Sequence, residues 1–86
     1  MKIKKNMVLR NVAGEYVLVP AGKSAGEYKG MFMLTETGAY MYSIIEKADS
    51  ALDLAKMTSE EFDGDFDEIL SDANEFINKL KEYDII

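Results

Sequence analysis

The sequence predicts an α+β domain in which a small antiparallel β-sheet is followed by three α-helices. Two observations support this fold class. The first third of the chain contains runs of strand-forming residues separated by turn residues, and from Thr35 onward the apolar residues recur with the helical period of about 3.6. Because domains rarely contain fewer than ~50 residues, the 86 residues are expected to form one domain, 1–86.

The first two strands are expected over Met7–Val12 and Glu15–Pro20, because the Ala-Gly pair between these β-rich runs favours a tight hairpin. A turn-rich segment follows over residues 21–26. Residues 27–34 form either one strand preceded by a loop or a second hairpin. The sequence leaves both alternatives open.

The first two helices are predicted from capping residues and from the spacing of apolar side chains. Thr35 is expected to cap the first helix, because a Thr hydroxyl accepts a hydrogen bond from an N–H that the first turn leaves unpaired. Ser50, with Asp53 three residues later, has the pattern of a capping box that opens the second helix. The apolar residues expected on the buried face of the first helix are Met41, Ile44, Ile45 and Ala48.

The third helix is expected to begin after Asp65, and its apolar residues cover a wide arc. This arc spans about 140°, which is more than a single packing seam needs. We therefore expect one edge of the arc to pack on the core and the other edge, with Ile69, Phe76 and Tyr83, to line a groove. Residues 84–86 are expected to fold back against the sheet or the helix end.

The composition excludes several kinds of chemistry. The chain has no Cys and no His, so disulfides, thiolate nucleophiles, zinc sites and imidazole catalysis are not expected. The acidic run over residues 60–68 does not match a calcium loop, because the sixth and twelfth positions counted from Asp63 hold Glu68 and Asn74 instead of Gly and an acid. The sequence therefore predicts a protein that is not an enzyme, with no catalytic residues, no metal and no cofactor.

The net charge of −6 is distributed unevenly along the chain. Residues 1–43 contain six basic and three acidic residues, whereas residues 44–86 contain four basic and thirteen acidic residues. Because nucleic-acid binding depends on Lys and Arg that neutralise phosphates, this balance argues against a nucleic-acid partner. No run of about 18 apolar residues occurs, and no signal-peptide segment follows the basic start, so we expect no membrane association and a cytoplasmic location.

Three motifs give the sequence a family resemblance. They are Val19-Pro20-Ala21-Gly22 after the second strand, Leu34-Thr35-Glu36-Thr37-Gly38 at the start of the first helix, and Phe76-Ile77-Asn78-Lys79-Leu80 before an apolar tail. In this order and spacing they resemble the PqqD family, the small peptide chaperones, or recognition elements, of ribosomally synthesised and modified peptide pathways. The resemblance extends from about Val8 to Ile86.

The resemblance implies a winged helix-turn-helix fold that does not bind DNA. Its members capture the leader segment of a precursor peptide as an added strand and present it to a modifying enzyme, often a radical S-adenosylmethionine enzyme. Four positions depart from the family pattern. Thr35 replaces the usual Asn, and Tyr42 stands where the family often has Trp. Asp84 stands where Gly commonly ends the third helix, and Ala73 is smaller than the usual Val or Leu. The small Ala73 is therefore expected to widen the groove for a ligand side chain.

The predicted peptide-binding residues lie on the third strand and the third helix. The strand edge offers main-chain donors and acceptors, and Met side chains adapt to irregular partners. Because the acidic half of the chain surrounds this helix, the peptide is expected to be neutral or basic. The predicted binding residues are Met31, Phe32, Met33, Leu34, Ile69, Ala73 and Phe76.

Two other functions are compatible with the predicted fold. One is a winged-helix DNA-binding regulator, although the third helix and its approach are mainly acidic. The other is a structural subunit that associates with itself through an exposed strand edge. For the preferred peptide-binding function, we expect a monomer or a weak dimer.

Overall fold

The computed structural model describes residues 1–5, 7–21 and 32–86. Within them, three strands are followed by three α-helices, which confirms the predicted α+β fold class. Residue 31 and most of the predicted turn-rich segment lie outside the described residues, as does the choice between a strand and a hairpin before residue 32. The elements are β1 (Met7–Val12), β2 (Glu15–Pro20), β3 (Phe32–Leu34), α1 (Glu36–Ile44), a short 3₁₀ turn (Ile45–Lys47), α2 (Ala51–Ser59) and α3 (Phe66–Glu82).

The sheet is antiparallel throughout and has the order β1-β2-β3. The predicted hairpin joins β1 to β2, and both of its turn residues have positive φ, 53° for Ala13 and 84° for Gly14. This combination is the type I′ arrangement that matches the twist of two adjacent strands. The Asn11 side chain stabilises the turn, because its Oδ1 accepts a hydrogen bond from the Gly14 N–H at 3.1 Å.

The two faces of the sheet have different surroundings. Leu18 pairs with Leu9 on one side and with Phe32 on the other, and this row faces the helices. Because side chains alternate along a strand, the next row, Arg10, Val17 and Met33, lies on the opposite face. We call these the inner face and the outer face of the sheet. The helices cover the inner face, so the core lies between that face and the helical layer.

All three predicted helix caps are present. Thr35 Oγ1 accepts from the Gly38 N–H at 3.0 Å, and Ser50 Oγ accepts from the Asp53 N–H at 3.1 Å. Asp65 Oδ1 accepts from the Asp67 N–H at 3.2 Å. These contacts fix where each helix begins, because they satisfy N–H groups for which the first turn has no carbonyl partner.

The C-terminal residues fold back on the core, as expected. Asp84 adopts φ of 57°, so it takes the left-handed conformation for which Gly is normally favoured. The turn lets the Ile85 N–H donate to the Leu80 carbonyl at 2.8 Å, and it buries the Ile85 side chain. The Ile85 carbonyl in turn accepts from the Lys4 N–H at 2.6 Å. The departure from Gly at position 84 therefore leaves the chain reversal intact.

Tyr42 is expected to make the fold less stable as the pH rises in the alkaline range. Burial raises the pKa of its phenol above the ordinary value of about 10, and the nearby Glu46 carboxylate adds to this effect. The Tyr42 phenol therefore loses its proton at a lower pH in the unfolded chain than in the folded chain. The neutral buried phenol contributes its full stabilisation of the fold below pH ~10, and this contribution is lost as the pH rises through the raised pKa. We expect Tyr42→Phe to lose less stability than the unmodified chain in thermal melts between about pH 9 and 12. An equally steep decline in both proteins would contradict this assignment.

Candidate functional site

A groove lies between the edge strand β3, the start of α1 and the middle of α3. Its volume is about 230 Å³, and it is open to solvent. The order of the sheet leaves β3 at one edge of the described strands, so the groove runs beside a strand edge. The lining residues are Met33, Leu34, Thr35, Thr37, Gly38, Met41, Asp72, Glu75, Phe76 and Lys79.

The groove has an apolar floor and a charged rim. Met41 and Phe76 are buried at its base, and Leu34 is half-buried beside them. Asp72, Glu75 and Lys79 are exposed along the α3 side. A floor of this kind suits an apolar side chain, and two carboxylates on the rim favour a ligand that carries positive charge nearby.

The absence of a side chain at position 38 keeps β3 and the start of α1 close together. A Cβ atom at Gly38 would lie 3.3 Å from Thr35 Oγ1 and 3.7 Å from the Leu34 Cβ. The first distance is tighter than ordinary packing, and it involves the hydroxyl that caps α1. Gly38 therefore allows the capped helix to begin directly beside the strand that borders the groove.

Aromatic contacts fix the beginning of β3 against the end of α3. The rings of Phe32 and Tyr83 lie 4.6 Å apart between centroids and meet edge to face at 70°. The Lys79 Nζ lies 5.5 Å from the centroid of the Phe32 ring, within the range of a cation–π contact. Phe32 therefore lies beside Lys79, which itself lines the groove.

The structure brings together some of the sequence-predicted site residues. Met33, Leu34 and Phe76 line the groove, and Phe32 lies next to it. Residue 31, the remaining predicted strand position, lies outside the described residues.

Two predicted residues on α3 occupy a different environment. Ile69 and Ala73 are buried in the core, and the exposed fraction of Ala73 is 0%. In this structure the small Ala73 side chain therefore packs among core residues instead of leaving space in the groove. A larger side chain at this position, as in Ala73→Leu, is therefore expected to overpack the core and to lower the stability of the fold.

The apolar pattern of α3 does not indicate the polar rim of the groove. Asp72, Glu75 and Lys79 lie four residues before, one residue before and three residues after Phe76. Because residues three and four apart share a helix face, Asp72 and Lys79 could have been assigned to the face of Phe76. The apolar periodicity indicates only the hydrophobic residues of that face.

The groove has the features of a binding site. Within residues 1–5, 7–21 and 32–86, no group of three or more acidic side chains is placed to hold a metal ion. In the same part of the chain, no helix is both long and apolar enough to cross a membrane. What the groove offers is a strand edge, an apolar floor and a few charged side chains.

Comparison with known proteins agrees with the motif resemblance. Residues 15–86 match the family described as coenzyme PQQ synthesis protein D (PqqD), so the match begins after β1 and includes the whole groove. A solved structure described as TbiB1 in complex with the TbiA(beta) leader peptide has a similar fold. Its TM-score is 0.69 at 20% sequence identity, over 99% of this chain and 93% of that chain. None of the curated proteins matches this chain.

Proposed function

Because this chain belongs to the PqqD family, we propose that it is a non-catalytic module that captures the leader segment of a ribosomally synthesised precursor peptide. The leader adds as a strand beside β3 and is presented to a modifying enzyme. The observation that carries this proposal is the groove itself, in which an edge strand lies beside an apolar floor and a charged rim, and α3 contributes the rim. The similar fold of a protein described in complex with a leader peptide supports the same function.

Strand addition accounts for affinity and specificity without catalytic residues. An edge strand presents main-chain N–H and C=O groups that a peptide can pair with, and these bonds depend little on the peptide sequence. Alternate side chains of the added strand then point toward α3. An apolar residue at such a position would rest on Leu34, Met41 and Phe76, which supplies the sequence preference.

The charges of the groove favour a peptide that is neutral or basic. Asp72 and Glu75 stand on the rim, and a Lys or Arg of the peptide near them would gain a favourable contact. Such exposed charge pairs contribute modestly to affinity, about 0–1 kcal/mol each, and they weaken as salt is added. The apolar floor therefore contributes more to affinity than the rim does.

The modifying enzyme to which the chain presents the peptide is proposed to be a radical S-adenosylmethionine enzyme in the cytoplasm, as the family resemblance implies. The chain itself has no His or Cys to supply acid–base or nucleophilic catalysis. Modification of the peptide is accordingly assigned to the partner, and this chain is proposed to act as a monomer or a weak dimer.

The exposed face of α3 argues against the alternative of a DNA-binding regulator. A recognition helix needs Lys or Arg facing phosphates and bases. The exposed charged residues of α3 are instead mostly acidic: Asp67, Glu68, Asp72, Glu75 and Glu82, against Lys79 and Lys81. The structure thus offers no observation that favours DNA over a peptide.

The proposal is tested by peptide selection followed by nuclear magnetic resonance. A display library of random peptides is selected on the chain, and the strongest binder is titrated into isotope-labelled protein. We expect backbone amide shifts in β3, in the first turn of α1 and around Glu75 in α3, because these elements border the groove.

A matched peptide serves as the control. Only every second residue of an added strand directs its N–H toward β3, so Pro is placed in turn at each of the two alternating sets of peptide positions. Binding should be lost for the set whose N–H groups face β3. Amide shifts confined to β1, at the other edge of the sheet, would contradict the proposed site. Undiminished binding of both Pro-substituted peptides would contradict strand addition.

A further inference from the structure

The outer face of the sheet is more apolar than a solvent-facing sheet surface usually is. An antiparallel sheet with one face on the core commonly has polar residues on the other face. Here the outer face carries Val12, Val17, Val19 and Met33 beside the charged Arg10 and Glu15, and these residues line a cavity of about 460 Å³. The exposed fractions of Val12 and Met33 are 56% and 53%. This apolar surface lies on the side of the sheet away from α3.

Met33 lines both this outer surface and the groove at which the peptide is proposed to bind. It is the central residue of β3, and its cross-strand partner is Val17 of β2. Val17 is buried although it faces outward, whereas Met33 retains about half of its accessible surface. The part of the outer face next to the proposed peptide is therefore an exposed Met side chain beside a buried Val.

We propose that the bound peptide is read on both faces, with an apolar side chain of the added strand packing on Met33 at the outer face. This inference rests on the proposed function, because it requires a strand beside β3. A residue directly opposite Met33 on that strand would have its Cβ about 4.5–5.5 Å away on the same face. The peptide residues on either side of it would point toward α3, since successive side chains alternate.

The chemistry of Met33 defines the preferred occupant. A Met side chain has three rotatable bonds and a polarisable sulfur, so it packs well against aromatic and branched side chains. We therefore expect the outward residue to be aromatic or β-branched, the classes that also gain most from cross-strand pairing. The leader would then carry apolar residues at neighbouring positions, one for each face of the sheet. A groove on one face alone would instead select an apolar residue only at every second position.

The test compares peptides selected from a random display library by three forms of the chain. The unmodified chain should select peptides with apolar residues in both alternating phases. Met33→Lys should keep the preference for apolar residues toward α3 and should change the outward preference to Asp or Glu. Val12→Lys is the matched control, because Val12 lies on the same face in β1 and pairs with Glu15, away from the β3 edge. It should leave both preferences unchanged.

The inference can also be tested on the unmodified chain, by changing the peptide and measuring its binding. Replacing the outward apolar residue of a selected peptide by Ser should weaken binding by about 1.4- to 5-fold, the range of a cross-strand pair. If the outward position shows no preference, or if Ser has no effect, while amide shifts still fall in β3 and α3, the inference is overturned and the proposed function stands. If the selected peptides bind only at β1, both are overturned.

Discussion

Leu80→Ala is expected to lower the free energy of unfolding by about 2–5 kcal/mol, the range for removing a buried Leu side chain from a core. Leu80 lies in the last turns of α3 with 3% of its surface exposed, and it belongs to the cluster that includes Ile85. A domain of this size has a stability of roughly 4–13 kcal/mol, so the variant loses a large part of it. Denaturant unfolding followed by circular dichroism measures the loss.

Leu52→Ala is the matched control for this deletion. Leu52 lies in α2 with 46% of its surface exposed, so the same atoms are removed from a helix without opening a cavity. We expect a change of no more than about 0.5 kcal/mol. Similar losses in both variants would show that Leu80 is not packed as the structure describes. Phe76 is less suitable for this comparison, because it belongs to the core and also lines the groove.

Thr37→Trp is expected to weaken peptide binding by at least about tenfold, which corresponds to about 1.4 kcal/mol. Thr37 lines the groove in the first turn of α1, and an indole at this position would occupy space proposed for a peptide side chain. Thr and Trp have similar helix propensities, so the helix itself should tolerate the change. Titration with a selected peptide, together with a thermal melt, separates lost binding from lost folding.

Ser43→Trp provides the same bulk on the same helix outside the groove. Ser43 is exposed in the last part of α1, where it lies near Tyr40 instead of β3. This variant should bind the peptide as tightly as the unmodified chain. Undiminished binding by Thr37→Trp would show that the peptide does not occupy this groove, whatever the family of the protein.

Local sequence patterns are sufficient to predict the helices and strands, but not everything that packs around them. The three caps and the β1–β2 hairpin depend on residues within a few positions of one another, so the sequence contains what is needed to place them. The end of the first helix is harder to predict from the sequence. The apolar spacing places Ile45 on the buried face of this helix, and Ile45 is buried, but the backbone there has already changed to a 3₁₀ turn.

The candidate site shows a second limit of sequence patterns. Helical periodicity shows which side of α3 is apolar, but it does not show which elements cover that side. Ala73 and Phe76 belong to the same apolar arc, yet only Phe76 reaches the groove while Ala73 lies within the core. That difference depends on where β3 and α1 sit relative to α3, and spacing along one helix cannot supply it.

The order of the elements has a consequence for how quickly the chain folds. Each strand pairs with its neighbour in sequence, and α2 packs extensively on α3, which follows it directly. Loop-closure entropy grows with the number of residues enclosed, so these pairings form at low entropic cost, and domains dominated by them fold fast. The hydrogen bond between Lys4 and Ile85 encloses almost the whole chain. It is therefore expected to form late, after the local units have brought the two ends together.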